Sequence, residues 1–591
     1  CLLLFRPEFY INIEELYMGT IAKGVSDGFI MPLAEYMYHP YEGGTLLFGL
    51  SAYPFFALMG PTHVAIKITA LAYSLAAFSL WYFFMLRFFG RASAVFFGLL
   101  SCFAPFGYIL ISLWAMGTHP QNALFDIIIL FAFYSIFFNP SPRQAEGGSP
   151  RSAAVFGFVS GLGDYFCYFS TLTIIVCIVT WLTVPHKPLG SKTWRVLLPS
   201  FFLGLTPFLY CNLILDVGGV RSLLSSMGGR GLASTTFFGS VLYFLRLLFR
   251  DAYWFNSGQP RCAVGAYHLF YSSLMALSLA WIVWTCRGAL LRQCISFLPS
   301  WRRQDRERNE YRATPIIIYI ALYFFIAGAA HLERRIAVEI QMGLFGGYRF
   351  FSVLFPYLFA VMALFLARLW AHRSIQTRTL AVVAAVLVII FGCMPVTIGG
   401  VLPSLFHNGY SFYLLGWKAA QKNVYWDKPE RGLELSKKIS TIADRDDFID
   451  GFCEIRWWDA IEADEGPTIP PNTREGIEAL IRPNVAALAV HIQGVNNQYK
   501  RQFYKALGRV LCLRYVYEKN GRIDTCMNLL SVTDPMFRAS AFEGFGRVVG
   551  SYEPTRRNME AIAPHIPREY ETAFKKGIDS AAKRPYIQVV H

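Results

Sequence analysis

Five stretches of this chain place charged or hydrogen-bonding side chains between apolar segments. They are the acid pair Glu14-Glu15, the loop at residues 39–42, and the single residues His119, Asp164 and Arg349. Carboxylates and imidazoles can take up protons, and a guanidinium group can bind a phosphate. Because a polar group near the hydrocarbon of a membrane is costly, several that converge on one side would indicate a site.

The composition is that of a membrane protein. Of 591 residues, 54% are hydrophobic and 16% are charged, whereas soluble domains carry about 25% charged residues. The net charge of +15 does not indicate nucleic-acid binding, because the arginines gather in short loops between apolar runs. That is the positive-inside pattern, and some of the charge is expected to meet anionic membrane lipids.

The 12 cysteines include no C-x-x-C pair, and most lie in apolar runs. We expect most of them to be small buried apolar groups. Three lie in the C-terminal part and could form one disulfide, which the sequence does not require: Cys453, Cys512 and Cys526. The first residues, CLLLF, are interpreted as the end of a first membrane helix that is mostly missing, with a lipidated Cys1 as the alternative.

Long apolar runs predict an all-α polytopic membrane domain at residues 1–402. A helix needs about 20 apolar residues to span the hydrocarbon core. Runs of sufficient length are 63–86, 94–115, 196–216, 266–287, 348–370 and 379–402, with shorter ones at 122–138 and 314–330. Together with the truncated first helix and the run described next, they predict about eleven transmembrane helices.

Two apolar runs are predicted to be irregular. The run 153–184 is too long for one helix and carries glycines and Asp164 in its middle, so it predicts two short helices with a tip at Asp164. The run 44–60 contains Pro54 and ends in Gly60-Pro61. It predicts a helix that lies on the membrane surface within an outer loop at residues 6–62.

The positive-inside rule then assigns sides. The basic loops, all on one side of these spans, contain Arg87 and Arg91; Arg143 and Arg151; Lys187, Lys192 and Arg195; residues 302–312; and Arg368, Arg373 and Arg378. We therefore expect that side to be cytoplasmic. All five polar stretches, and everything after residue 402, are predicted on the opposite side.

Residues 403–591 are charged, contain no span, and predict an extracytoplasmic α-helical domain. Four segments pair an aromatic residue with a nearby glycine, namely FIDGFCEI (448–455), FYKALGRVL (503–511), AFEGFGRVV (541–549) and AFKKGIDSA (573–581). They indicate helical repeats of the TPR or HEAT kind, in which glycine permits close packing of helix pairs. Chance similarity between amphipathic helices is the alternative.

Four segments occur in a suggestive order: IEELYMGTIAKGV (13–25), HPYEGG (39–44), GFVSGLGDYF (157–166) and GGYRFFSVLFPYLFAVMALFLARL (346–369). Their order and spacing over roughly residues 1–400 resemble the GT-C membrane glycosyltransferases of the protein-mannosyltransferase and aminoarabinose-transferase type. In that family an Asp-Glu pair opens the first outer loop, and a surface helix and a second span ending in basic residues follow. Here the pair is Glu14-Glu15, and the first carboxylate reaches about 1 Å farther than that of Asp.

The resemblance implies a polyprenyl-phosphate sugar as donor. The phosphate is the leaving group, so the reaction needs a carboxylate base for the acceptor and a cation for the departing phosphate. It assigns Glu14 as the base, with Glu15 second, and Arg349 beside Tyr348 as the phosphate-binding residue. Solvated loop residues are the alternative for Glu14 and Glu15, and a snorkelling arginine at a helix end is the alternative for Arg349.

Other polar residues are expected to line the substrate pocket, and each has an ordinary alternative. His39 and Glu42 could be solvated loop residues, and Asp164 could cap a helix. Thr118 is predicted to cap the helix that His119 begins. Two further expectations are that Asp126 pairs inside the bundle and that Arg334 or Arg335 could replace Arg349 as the phosphate-binding residue.

No cofactor is predicted beyond the lipid-linked sugar donor. Two acids and a histidine could hold Mg²⁺ or Mn²⁺, but their spacing fits no fixed ligand pattern, so we expect no metal. The sequence contains no Walker loop, dinucleotide fingerprint or serine nucleophile elbow. Nucleotide-dependent chemistry is therefore not expected.

Three functions compete. The first is a hexosyl- or pentosyltransferase that acts on the non-cytoplasmic side, most simply in a bacterial inner membrane with a periplasmic tail. The second is an inactive GT-C-derived scaffold that binds protein partners through residues 403–591, which the Glu-for-Asp change and the repeats favour. The third, a transporter, is weakest, because transporters hold their polar residues at the midplane on interrupted helices.

The topology predicts that protease applied to the non-cytoplasmic face of sealed vesicles removes residues 403–591. The basic loop at residues 302–312 should stay intact in the same vesicles and serves as the internal control. Immunoblotting with tags at the C-terminus and in that loop measures both. Cleavage of the tail only in inverted vesicles would show that the assigned sides are reversed.

Overall fold

The computed structural model describes residues 13–28, 36, 42–138, 150–183, 191–214, 237–250, 269–285, 308–329, 349–392, 429–437, 439, 442–462, 495–513, 516, 523–531, 533–552 and 562–583. These residues are mostly helical and include no β-strand. The chain divides into two compact units. The first unit comprises Cys1–Met18 and Met37–Val401, and the second comprises Gly19–Tyr36 and Leu402–His591.

Fifteen described helices lie before residue 393, and α1 begins in the first unit and ends in the second. They are α1 (Ile13–Ser26), α2 (Gly44–Met59), α3 (His63–Phe89), α4 (Arg91–Cys102), α5 (Phe106–Ser112), α6 (His119–Phe137), α7 (Pro150–Phe166), α8 (Ser170–Thr183), α9 (Ser191–Leu209), α10 (Phe237–Arg250), α11 (Leu269–Thr285), α12 (Arg308–Ala329), α13 (Arg349–Ser352), α14 (Phe355–Ala371) and α15 (Ile375–Gly392). A π-helical turn, Tyr210–Ile214, extends α9.

Five helical stretches among the described residues are long and apolar enough to cross a membrane. They are Val64–Phe89, His119–Phe137, Thr193–Ile214, Arg312–Ala329 and Phe350–Ala371. Five shorter apolar helices accompany them, including α2, α4 and α11. The helical character predicted from the sequence is therefore present among the described residues, and several of their helices have the length and apolar composition of membrane spans.

The helices of the first unit share two ends. At one end, which we call the polar end, the start of α6 meets the end of α7 and the start of α13, because the ring of His119 packs on Phe350 and Phe125 packs on Phe166. At the other, the basic end, Arg312 donates to Phe88 O at 3.1 Å and its own carbonyl accepts from Tyr134.

The basic residues follow this division. Arg87 and Arg368 occupy the last turns of α3 and α14, and Arg151 and Arg195 lie near the starts of α7 and α9. These helix termini all belong to the basic end. These described arginines, which the charge rule groups together, therefore share one end of the bundle, opposite to His119.

One predicted span is not a continuous helix. Residues 94–115 do not form a single helix, because α4 ends at Cys102 and α5 begins at Phe106. Pro105 has no backbone N–H and disfavours the helical conformation at Ala104, so the chain turns there. The Phe103 N–H closes α4 on Leu99 O at 3.0 Å, and Pro105 O starts the next turn by accepting from Tyr108 N–H.

Glycines allow α7 and α9 to pack at backbone contact. A Cβ at Gly157 would overlap Leu197 O, one at Gly161 would overlap Phe201 O, and one at Gly204 would overlap Phe158 O. Repeated contacts of this kind are typical of small residues at helix interfaces inside membranes.

The second unit contains α16 (Pro429–Ser436), α17 (Ile442–Glu462), α18 (Asn497–Leu511), α19 (Ile523–Ser531), α20 (Pro535–Tyr552) and α21 (Glu571–Lys583). The close packing predicted for its glycines is present, since a Cβ at Gly508 would overlap Ala541 O and one at Gly577 would overlap Glu543 O. Membership of a TPR or HEAT class stays a prediction.

Buried ion pairs connect three helices of this unit, α17, α18 and α20. Arg509 on α18 contacts Glu454 at 2.8 Å and Asp450 at 3.2 Å, and Asp450 also contacts Arg547 on α20 at 2.8 Å. Burial raises the pKa of the Cys512 and Cys526 thiols, which keeps both protonated. The structure has both as free thiols.

The α7–α9 packing predicts that Gly161→Ala destabilises the protein by about 1–3 kcal/mol, because the added methyl forces two backbones apart. Gly98→Ala is the matched control, since a Cβ there meets only the Tyr82 ring at an ordinary 3.6 Å. Alanine in an open helical position should raise stability by about 0.5–1 kcal/mol. Thermal unfolding in detergent compares the two, and equal effects would contradict the packing.

Candidate functional site

The first turn of α1 carries two buried carboxylates. Glu14 and Glu15 occupy the N-terminal turn, where the helix dipole favours negative charge. Glu15 Oε2 lies 2.7 Å from Lys67 Nζ, and both side chains are almost fully buried, with 0% and 3% of their surface exposed. Glu15 is therefore not a solvated loop residue, because an ion pair ties it to the start of α3.

Lys67 is the site residue that the sequence analysis did not identify. It lies in the apolar run HVAIKITAL, one turn after the start of α3. A lone lysine in an apolar segment indicates a buried acid as its partner, because an ammonium group there is costly unless an acid compensates it. That indication was available from the sequence. The first turns of α3 are fixed by Thr62, whose hydroxyl accepts from Ala65 N–H at 3.3 Å.

The loop before α6 connects α1 to the polar end. Met18 follows Glu14 by four residues and therefore shares its face of α1. Gly117 has a left-handed φ of 63°, and a Cβ there would overlap Met18 Sδ. The face of α1 that carries Glu14 thus packs against the loop that leads directly into His119.

Glu42 lies in the same region, because the two glycines that follow it pack there. The Gly43 N–H donates to Tyr165 O at 2.6 Å, at the end of α7. Gly44 packs against the carbonyls of Gly117 and Phe166 so closely that a Cβ would overlap both. Glu42 precedes this junction and is buried, with 3% exposure.

Cys167 lies at the centre of the polar end, in the turn between α7 and α8. Its Sγ is 3.7 Å from His119 Nδ1. Burial, and after it the negative charges of Glu42, Asp126 and Asp164, raise the pKa of the Cys167 thiol. The start of α6 and the end of α7 therefore meet at this turn, where the charges of three acids act on one thiol.

His119 itself is buried among aromatic rings. Its imidazole packs edge-on against Phe169 at a centroid distance of 4.9 Å and contacts Phe350 at 5.0 Å. Thr118 is at the N-cap position, but the predicted capping bond is absent, because its hydroxyl points to Met116 O and α6 has no side-chain cap. Pro120 in the first turn removes one of the N–H groups that a cap would satisfy.

Asp164 is not at the tip that the sequence predicted. The run 153–184 does form two helices, but α7 continues to Phe166 and the turn is at residues 167–169. Asp164 lies in the last turn of α7 and accepts a hydrogen bond from Thr171 on α8.

Three predicted site residues are not described fully. His39 and Tyr348 lie outside the described residues, and of Arg349 the backbone alone is described, as the first residue of α13. The next residue, Phe350, contacts His119, and its carbonyl accepts from Tyr323. The backbone of Arg349 is therefore at the polar end. Arg334 and Arg335 also lie outside the described residues.

The arrangement offers proton-accepting groups and a cation in a confined, largely apolar setting. Within the described ranges no group of three or more His, Cys, Asp or Glu is placed to hold a metal ion. Glu14, Glu42 and His119 are groups that can accept a proton from a substrate. Lys67 is an ammonium group that can stabilise negative charge near Glu15.

Comparison with protein-family models, curated proteins and solved structures finds no match to this chain.

The Glu15–Lys67 pair predicts an asymmetric double-mutant cycle. Lys67→Met should cost about 3–5 kcal/mol of stability, because it leaves the Glu15 carboxylate buried without its lysine. Adding Glu15→Gln removes that charge and should restore much of the loss. Denaturant unfolding in detergent measures both, and a double variant that is as unstable as the sum of the single ones would contradict the pairing.

Proposed function

We propose that this chain is a multi-pass membrane glycosyltransferase of the GT-C type, which moves a sugar from a polyprenyl-phosphate donor to an acceptor on the non-cytoplasmic side. The observation that carries the proposal is the division of the bundle. Buried acids and the Glu15–Lys67 pair gather at the polar end, and the arginine-bearing helix termini gather at the basic end. A multi-pass topology of about eleven spans belongs to the proposal.

Sidedness follows from the basic end. Short loops rich in arginine and lysine are retained on the cytoplasmic side of a membrane, so the polar end is proposed to face away from the cytoplasm. A nucleotide-sugar donor would need the cytoplasmic face, whereas a polyprenyl-phosphate sugar presents its head group on the opposite face. The proposed donor class therefore agrees with the position of the acids.

The roles of the two acids differ. Glu15 is committed to Lys67 at 2.7 Å, so it is proposed to orient the first turn of α1 and to keep that ammonium group in place. Glu14 is proposed as the general base that takes a proton from the acceptor hydroxyl or amine. Its carboxylate is buried, with 8% exposure, on the face of α1 that turns towards the Gly117 loop.

The donor phosphate needs a cation as its bond to the sugar breaks. Arg349, at the start of α13, is proposed to bind it, since a guanidinium group can hold two phosphate oxygens at once. Tyr348, His39, Glu42, His119 and Asp164 are proposed to line the sugar and acceptor pocket. The positions of Glu42, His119 and Asp164 around Cys167 support that part of the proposal.

A scaffold without catalytic activity is the second candidate. The close glycine contacts and buried arginine pairs of the second unit favour it, because such stacked helices present extended surfaces for partners. In that case Glu15 and Lys67 would be a structural pair alone. The two candidates differ in whether Glu14 matters for turnover.

The proposal predicts that Glu14→Gln lowers sugar transfer by about 10²-fold or more while donor binding stays nearly unchanged, because a base acts in the transition state. Arg349→Ala should instead weaken donor binding. Asp27→Asn, an exposed acid near the end of the same helix, is the matched control. Transfer from labelled polyprenyl-phosphate hexoses and pentoses to membrane-extracted acceptors is measured in proteoliposomes, with donor binding measured separately.

Two results would remove the enzymatic proposal. One is undiminished transfer by the Glu14→Gln, Glu15→Gln double variant. The other is that the wild-type protein neither binds nor consumes any donor of the panel, which would leave the scaffold as the better account.

A further inference from the structure

A cluster of buried side-chain oxygens lies inside the first unit, next to the polar end. Asn122 and Asp126 lie one turn apart on α6, and Ser170 and Thr173 lie one turn apart on α8. Ser170 Oγ donates to Asn122 Oδ1 at 2.8 Å and approaches Asp126 Oδ1 at 3.5 Å. Thr173 Oγ1 donates to Asp126 Oδ1 at 2.8 Å. The pairing of Asp126 inside the bundle that the sequence indicates is therefore present.

A third helix contributes to this oxygen cluster. Tyr357 on α14 places its hydroxyl 3.3 Å from Thr173 Oγ1. Its ring stacks on Tyr319 of α12, with centroids 3.5 Å apart and planes at 5°. This stacking fixes the direction of the Tyr357 hydroxyl. Five residues from α6, α8 and α14 therefore contribute side-chain oxygens to one buried cluster.

The carboxyl group of Asp126 has no cationic partner among the described residues. Asp126 is 1% exposed, and its Oδ2 atom has no hydrogen-bond partner among the described residues. The Thr173 hydroxyl donates to Oδ1, which stabilises a carboxylate without cancelling its charge. A carboxylate in an apolar bundle requires a cation or a proton.

We propose that Asp126, Asn122, Ser170, Thr173 and Tyr357 form a binding site for a monovalent cation, Na⁺. Hard cations take oxygen ligands, and divalent ones are usually held by several carboxylates. This cluster supplies five oxygen-bearing side chains and one formal charge, which balances a single positive charge. Asp126 Oδ2 is the ligand atom with free capacity.

The spacing of the oxygens fits a small ion. Ligands at about 2.3–2.6 Å from a cation, the distances of Ca²⁺, which has nearly the radius of Na⁺, lie about 3.3–3.7 Å apart at neighbouring octahedral positions. The oxygen pairs here lie 2.8–3.5 Å apart. A slight expansion of the cluster accommodates Na⁺, whereas the larger K⁺ requires greater separations.

The site joins the helices that carry the polar end. α6 begins with His119, and α14 begins shortly after Phe350, which packs on His119. An ion bound between α6 and α14 therefore also stabilises the contact between His119 and Phe350. An ion that binds only the folded protein stabilises it by mass action. This inference does not depend on glycosyl transfer and applies equally to a scaffold.

The direct test is equilibrium binding of ²²Na⁺ to the purified full-length protein in detergent. We expect saturable binding of about one ion per chain, displaced by NaCl and not by choline chloride. Asp126→Asn should weaken binding about tenfold or more, and Thr173→Val should weaken it to a smaller extent. Ser160→Ala, a buried hydroxyl on α7 outside the cluster, is the matched control and should bind as the wild type does.

Thermal unfolding gives a second readout, which needs no labelled ion. The melting temperature of the wild type should rise by several degrees in NaCl relative to choline chloride at equal ionic strength, and that of Thr173→Val should rise less. If Asp126→Asn fails to fold, the Thr173→Val comparison decides. Three results would each overturn the proposal in favour of a protonated Asp126. They are a lack of saturable ²²Na⁺ binding, displacement of ²²Na⁺ by choline as well as by NaCl, and a wild-type melting temperature that responds to pH and not to Na⁺.

Discussion

Charges inside a bundle of apolar helices have to be compensated, and the first unit depends on how that is done. Glu15 and Lys67 compensate each other at 2.7 Å, which ties α1 to α3. Asp126 is surrounded by hydroxyls from α8, which ties α6 to its neighbours. Because both sets of contacts join separate helices, buried polar groups beside the candidate site also hold the helices of the first unit together.

Close backbone contacts make that convergence possible. Gly43 and Gly44 bring the start of α2 against Tyr165, Phe166 and Gly117, where any side chain would hold the segments apart. Gly117 also receives Met18 from α1. The first turns of α1, the Glu42 segment and the turn before His119 therefore meet around Gly43, Gly44 and Gly117.

Much of this arrangement could be predicted from the sequence, because it follows from hydropathy and charge. Apolar runs predicted the helices, and arginine loops predicted which helix ends belong together. The break at Pro105 could also have been found, since proline removes a backbone donor. Lys67 was missed because one lysine in a long apolar run attracts little attention until its partner, 52 positions away, is known. The turn after Phe166 depends on contacts between α7 and α8, which local sequence does not specify.

The central claim, that the polar end binds a polyprenyl phosphate, is tested most directly by photo-crosslinking. A diazirine-bearing polyprenyl phosphate is added to the protein in proteoliposomes, and labelled peptides are identified by mass spectrometry. The account predicts label in the first turn of α1, in residues 42–45 and in the turn before His119, reduced by unlabelled polyprenyl phosphate. Label confined to the basic end around Arg87, Arg312 and Arg368, or label that unlabelled polyprenyl phosphate does not reduce, would contradict it.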